Sequence, residues 1–225
     1  MSARLQRLGA VAVAVAAVLL SSCTAAKRST IDMRPTYSEG DPPRAFAMIT
    51  QVRDARRFEE RPLDPSVPSL WDAEELKNPA ITSRAIARKR DGWGMALGDV
   101  LLPEGRTVEQ VVREAVTKAL REKGYAVVDE RSADREQALP LEVTIQQFWS
   151  WASPGIPLMS AEFEGILVMR SSALLNNEEE LVRGHARIRA FGIGDGQWLI
   201  VMRQGLDDLA LRVRGRIRDP EAIKR

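Results

Sequence analysis

Apolar and polar positions alternate along this chain in patterns that predict most of its elements. Leu8 to Leu20 is an apolar run of thirteen residues with Gly9 inside it. A bilayer-spanning helix needs about 20. Thr24 to Arg44 is polar and broken by Pro35, Gly40, Pro42 and Pro43, though Ile31 and Met33 alternate with Asp32 and Arg34 as a short edge strand would. Phe46 to Val52 alternates, with Phe46, Met48, Thr50 and Val52 turned one way, and predicts the first secure strand. Ala55 to Pro79 is a charged excursion with four prolines, long for a compact domain and so either functional or mobile. Within it, Trp71 is placed to pin a helical turn over Leu70–Lys77. Ile81–Arg90 and Met95–Leu102 read as short strands around the turn Asp91-Gly92-Trp93-Gly94.

Thr107 to Lys123 predicts a helix. Thr107 and Gln110 have capping-box spacing. Val108, Val111, Val112, Ala115, Val116, Ala119 and Leu120 share one face, and Gly124 suits the left-handed stop. Tyr125–Val128 resumes as a strand, so the helix suggests a crossover connection, right-handed if its strands are parallel. Three longer strands follow: Leu141–Trp151, Ala161–Ser171 and Leu181–Phe191. The first places Leu141, Val143, Ile145, Trp149 and Trp151 on one face. The third turns Val182, Gly184, Ala186, Ile188 and Ala190 inward and Arg183, His185, Arg187 and Arg189 outward. A last helix, about Gly196 to Arg218, buries a stripe from Trp198 to Ile217. The expected class is α+β: a mostly antiparallel sheet of four or more strands with two helices packed on one face. Residues 46–225 form one domain, with residues 23–45 as a flexible tether.

Composition narrows the chemistry. One cysteine and one histidine exclude a disulfide framework and the common multi-cysteine and multi-histidine metal sites, and no cofactor is expected. Arg4 and Arg7 precede the apolar run; without them basic and acidic residues balance at 31 each, which removes the electrostatic motive for binding nucleic acid.

The positive start and the apolar run have the charge order and length of a secretory signal core. Leu20-Ser21-Ser22-Cys23 then resembles the lipobox of bacterial lipoproteins. The resemblance implies a signal peptide over residues 1–22, cleavage between Ser22 and Cys23, and fatty acylation (diacylglyceryl and palmitate-type chains) at Cys23. One acyl chain holds a protein marginally and several hold it durably. Thr24 follows where an Asp would favour inner-membrane retention in enterobacterial lipoproteins, so the outer membrane, facing the periplasm, is the expected location.

Beyond the lipobox, four stretches resemble the YajG-type family of uncharacterised bacterial envelope lipoproteins. They are Val52-Arg53-Asp54, Ile86 to Val100, the capped helix ending in Gly124-Tyr125, and Val143-Thr144-Ile145 running into Phe148-Trp149. The resemblance implies a location and an α/β shape and offers no catalytic residues.

Candidate sites are few. Gly192-Ile193-Gly194-Asp195-Gly196 lacks phosphate-loop spacing, and Asp195 is placed to cap the last helix. His185 stands in an arginine row, and Glu162 and Glu164 face it as a cross-strand ion-pair ladder rather than as an acid–base pair. Phe148, exposed if Trp149 and Trp151 are core, would continue through Ile156 and Leu158 as a partner- or lipid-contact patch, and Trp93 is a similar candidate. No catalytic residue is assigned. The expected function is a non-catalytic protein-binding or accessory module of an envelope assembly or transport system. It would touch the bilayer through acylated Cys23 and an envelope protein partner elsewhere. The alternative is a carrier of a lipid or small apolar ligand in a cavity left by Gly184, Ala186 and Gly205.

Overall fold

The computed structural model describes residues 28–36, 42–90 and 95–223. The signal run, Ser22, Cys23 and Trp93 lie outside the described residues. Eight strands form one sheet: β1 (Arg28–Thr30), β2 (Ala45–Asp54), β3 (Ala85–Arg90), β4 (Ala96–Leu101), β5 (Tyr125–Val127), β6 (Leu139–Ser153), β7 (Met159–Arg170) and β8 (Glu179–Ala190). The helices are α1 (Pro79–Thr82), α2 (Val108–Glu122), α3 (Asp195–Arg216) and α4 (Pro220–Ile223).

The class is α+β, but the sheet is mixed rather than mostly antiparallel. β1/β4, β2/β5, β2/β6 and β3/β6 pair parallel; β3/β4, β6/β7 and β7/β8 pair antiparallel. The antiparallel pairs are neighbours in sequence, joined by short connections, and the parallel pairs join distant segments. Alternation within a strand says nothing about which distant strand lies beside it.

β6 organises the sheet. One edge pairs with β7 from Glu142 to Ser153. The other takes β2 over Leu139–Ile145 and then β3 at Ser150, so the sheet forks. At the fork lie two bulges, Thr50 in β2 and Gln146 in β6, where the register skips one residue. A bulge reverses the facing of every later side chain. Leu141, Val143 and Ile145 therefore share their core with Phe148, not with Trp149. Trp149 faces the other side, in a second cluster with Leu70, Ala85 and Leu101. In β2 the buried residues are Ala47 and Ile49 rather than their neighbours Met48 and Thr50.

α2 and α3 cover one face. The seven apolar positions on α2 are all buried, and fully burying a Val or Leu side chain stabilises by about 1.5–3 kcal/mol, an upper figure. Gln110 N–H donates to Thr107 Oγ1 at 3.3 Å, and Thr107 N–H donates to Gln110 Oε1 at 3.0 Å, closing the box. Gly124 ends the helix at φ +91°, and its carbonyl accepts from Arg44 N–H at 2.8 Å.

The charged excursion covers the opposite face of β6. Phe58 packs edge-on against Trp149, ring centroids 5.9 Å apart. Gln147 Nε2 donates to Ser66 O and Trp149 Nε1 to Pro65 O. Leu70, not the half-exposed Trp71, pins the short turn Ala73–Lys77 to the body. Residues 28–36 also belong to the body rather than to a tether: β1 pairs with β4, and Ile31 and Met33 are buried.

At the start of β5, Tyr125 Oη donates to Arg218 O at 2.9 Å, tying the C-terminal segment down. Burial, with help from the Asp219 charge and against Arg218 and Arg44, pushes the phenol up to about 12. An unfolded tyrosine titrates near 10. A raised folded value means this contribution is whole below about pH 10 and is lost as pH rises through about 12. The stability difference between wild type and Tyr125→Phe is expected to narrow across that window in denaturant titrations. A difference that stays constant would refute the assignment.

Candidate functional site

The polar side chains that the sequence singles out on β7 and β8 are held in pairs. On the outer face of β7 and β8, Arg187 Nε lies 3.5 Å from Glu162 Oε1 directly across the ladder, and His185 Nε2 lies 3.5 Å from Glu162 Oε2 on the diagonal. Arg183 Nε pairs diagonally with Glu164 at 3.4 Å. Each cross-strand pair of this kind contributes roughly 0.2–1 kcal/mol. The His185 side chain is 48% exposed, and the Ser160 hydroxyl near this ladder accepts from Arg187. This is the expected ion-pair ladder.

The glycine loop is a helix entry. Gly194, rather than Asp195, is the cap residue, and its N–H donates to Gln197 Oε1 at 3.1 Å. Asp195 sits one residue further in and pairs with Lys89 at 3.2 Å. Among the described residues no cluster of three His, Cys, Asp or Glu side chains is placed to hold a metal ion.

The space expected between helix and sheet is filled. A Cβ on Gly184 would lie 2.6 Å from the Leu209 Cα, and one on Gly205 would lie 2.0 Å from the Phe163 ring. These two glycines admit neighbouring groups, so the space at Gly184 and Gly205 is occupied. A small groove of about 280 Å³ opens at the end of the sheet, lined by Leu97, Ala152, Met159, Ile193, Trp198 and the stems of Lys89 and Arg90. Larger open grooves lie elsewhere: one of about 550 Å³ lined by Met48, Thr50, Arg113, Thr117 and Arg121, and one of about 540 Å³ beside the excursion, lined by Arg53, Arg57, Ser66, Thr144 and Gln147.

Of the interface candidates, Phe148 is overturned. It is fully buried, edge-on to Phe163 with centroids 5.0 Å apart, because the bulge at Gln146 turns it into the main core. Ile156 is fully exposed at 102% and Leu158 half-buried. Around them the structure gathers residues that sequence reasoning missed: Phe191, 86% exposed, with Met95 and Leu97. Register places Ser153, Ser160 and Arg189 level with one another, and Arg90 and Leu97 line one groove with Ala152 and Met159, so the loops beyond them share one end of the sheet. Phe191 had a signal: it continues the outward row two residues past Arg189. Leu97 had none.

The second open feature is the outer edge of β8. Its register with β7 is unbroken over twelve pairs. His185 N–H points away from β7 and donates to Asp208 Oδ2 at 3.0 Å. By antiparallel alternation, the main-chain groups of Arg183, Arg187 and Arg189 point to the same open side.

No helix among the described residues is long and apolar enough to cross a membrane. No protein-family model and no curated protein matches the chain. Among solved structures, the chain is similar to an uncharacterised protein at 11% identity, with a TM-score of 0.42, over 81% of this chain and 98% of that one. It is also similar to a putative neuraminyllactose-binding hemagglutinin homolog from Helicobacter pylori, again at 11% identity, with a TM-score of 0.34, over 81% of this chain and 91% of that one.

Proposed function

We propose that this chain is a lipid-anchored, non-catalytic accessory module of a bacterial envelope assembly or transport system, of the YajG-like kind its sequence resembles. Cys23 carries the acyl chains, the outer membrane holds them, and the body faces the periplasm. The body meets a protein partner along the edge of β8 that no other strand pairs. The observation that carries this reading is that edge: a twelve-residue strand with one side unpaired by other strands and a row of arginines beside it. Such an edge is a template for an added strand, and the arginines select an acidic, extended segment.

A photoreactive residue in place of Arg183 or Arg189, activated in native membranes, is expected to give one reproducible protein adduct from both positions. The intact mass of the membrane-extracted chain is expected to begin at an acylated Cys23. Acylated chain with no adduct from either position overturns the partner edge. A mature chain with a bare Cys23, or one retaining residues 1–22, overturns the anchor.

A further inference from the structure

We propose that the end of the sheet bearing Leu97, Ile156 and Phe191 lies against the bilayer that holds the Cys23 anchor, with Arg61, Arg88 and Arg90 taking the phosphates of anionic lipid headgroups. This rests on the acylated anchor proposed above.

The first support is the direction of the chain. β1 runs parallel to β4, with Arg28 abreast of Asp99, and β4 starts at Ala96 at this end. β1 therefore begins at this end, with Arg28 its first residue. Cys23 stands only five residues before Arg28, a reach of at most about 18 Å at roughly 3.6 Å per residue. β7 alone is twelve residues long, about 40 Å at roughly 3.3 Å each. On so short a leash the body cannot turn its far end to the membrane, and the end where β4 begins is the one held near it.

The second support is what that end displays. Nine large apolar side chains stand exposed among the described residues, and Leu63, Met95, Leu97, Ile156 and Phe191 are five of them. Leu63 belongs here because the preceding Pro62 carbonyl accepts from Arg90 Nη2 at 3.5 Å. Clustered exposed apolar side chains rimmed by cations are the composition of a surface that sits in the headgroup region.

The third support is electrostatic. Burial pushes the Arg88 guanidinium down, with the Arg90 and Arg61 charges adding to it and Asp99 opposing. Its buried Nε has no acceptor among the described residues. Arg61 is exposed and forms no ion pair among the described residues, nor does Arg189 at the same end. A phosphate brought to this group offsets the repulsion that the Arg90 and Arg61 charges place on Arg88.

The test uses the full acylated chain, its acylation confirmed by intact mass, in vesicles of phosphatidylethanolamine with or without phosphatidylglycerol. Acylation consumes the thiol of Cys23, so Ile156→Cys, Phe191→Cys, Leu181→Cys and Leu211→Cys each supply one labelling site. Leu181 and Leu211 are exposed near the opposite end of β8 and α3. Lipid-borne quencher is expected to dim a fluorophore at 156 and 191 at least about threefold more than at 181 and 211, as for side chains lying within the interface. Phosphatidylglycerol is expected to widen that ratio, and Arg61→Gln with Arg88→Gln to remove the widening. Equal quenching at all four positions in an acylated chain overturns the proposal and leaves the anchor standing. Quenching indifferent to phosphatidylglycerol overturns the headgroup role of the arginines. A bare Cys23 removes the leash and overturns both readings together.

Discussion

Arg56→Met is expected to destabilise the fold by about 3–5 kcal/mol, the range for stripping one partner from a buried ionic network. With a urea slope of about 2 kcal/mol/M, the unfolding midpoint falls by about 1.5–2.5 M. The Arg56 side chain is fully buried at the fork of the sheet, where β2 leaves β6 and β3 has not yet joined it. Main-chain carbonyls stranded there have no strand to pair with, and buried polar groups must find partners. Arg56 supplies all of its donors. Nη1 donates to Ala85 O at 2.6 Å and Phe148 O at 3.1 Å, Nη2 to Thr82 O at 2.8 Å, and Nε and Nη2 fork onto the Asp54 carboxylate. Its guanidinium also lies 5.2 Å from the Phe58 ring centroid, holding the excursion down. Methionine fills the volume, leaves the carbonyls of Ala85, Phe148 and Thr82 without the guanidinium donors, and leaves the Asp54 carboxylate with only the main-chain N–H of residue 56, at 3.1 Å. Arg56→Lys is expected to recover little, since an ammonium has three donors and no planar fork. A loss below about 1 kcal/mol would mean that water relieves the fork and that the arginine is dispensable.

Gly184→Val is expected to lower stability by about 3 kcal/mol or more and to loosen α3 from the sheet. Valine exceeds glycine in strand preference by up to about 1 kcal/mol, so propensity alone expects a gain. Space reverses the sign. A Cβ at Gly184 would lie 2.6 Å from the Leu209 Cα and 2.7 Å from its nitrogen. Those atoms are helix backbone and cannot rotate away, so α3 must move off β8. The contact is half of an interlock. Gly205 on α3 admits the Phe163 ring of β7, and that ring meets Phe148. Displacing the helix therefore opens the main core from both sides. Hydrogen exchange is expected to show amides of α3 and β8 losing protection together. A Gly184→Val chain as stable as wild type would show that the helix has room to shift.

The reading of α2 shows how far sequence reaches. Its cap pair, its seven buried positions and its glycine stop are local relations within one turn or one face, and each is where periodicity places it. The α3 stripe and the Glu162–Arg187 ladder follow for the same reason. Phe148 shows where such reasoning ends. One extra residue at Gln146 turns it from solvent into the core, and nothing in the alternation of Val143, Ile145, Trp149 and Trp151 marks that residue. The excursion from Ala55 to Pro79 reads as a loop by composition, yet Phe58 and Leu70 close a second core that β6 needs once Trp149 faces that way.

The candidate surfaces divide along the same line. By itself the sequence determined the order of elements, the helix faces, the charge ladder and the likeness of Leu20 to Cys23 to a lipobox, all of them relations among near neighbours. Only the tertiary structure decided that the sheet is mixed and forked, that Arg56 closes the fork, and that Leu97, Ile156 and Phe191 share one end with the start of β1. Those relations join segments tens of residues apart. They are set by which distant strands pair and where a register slips, and main-chain pairing is largely indifferent to the side chains that a sequence displays.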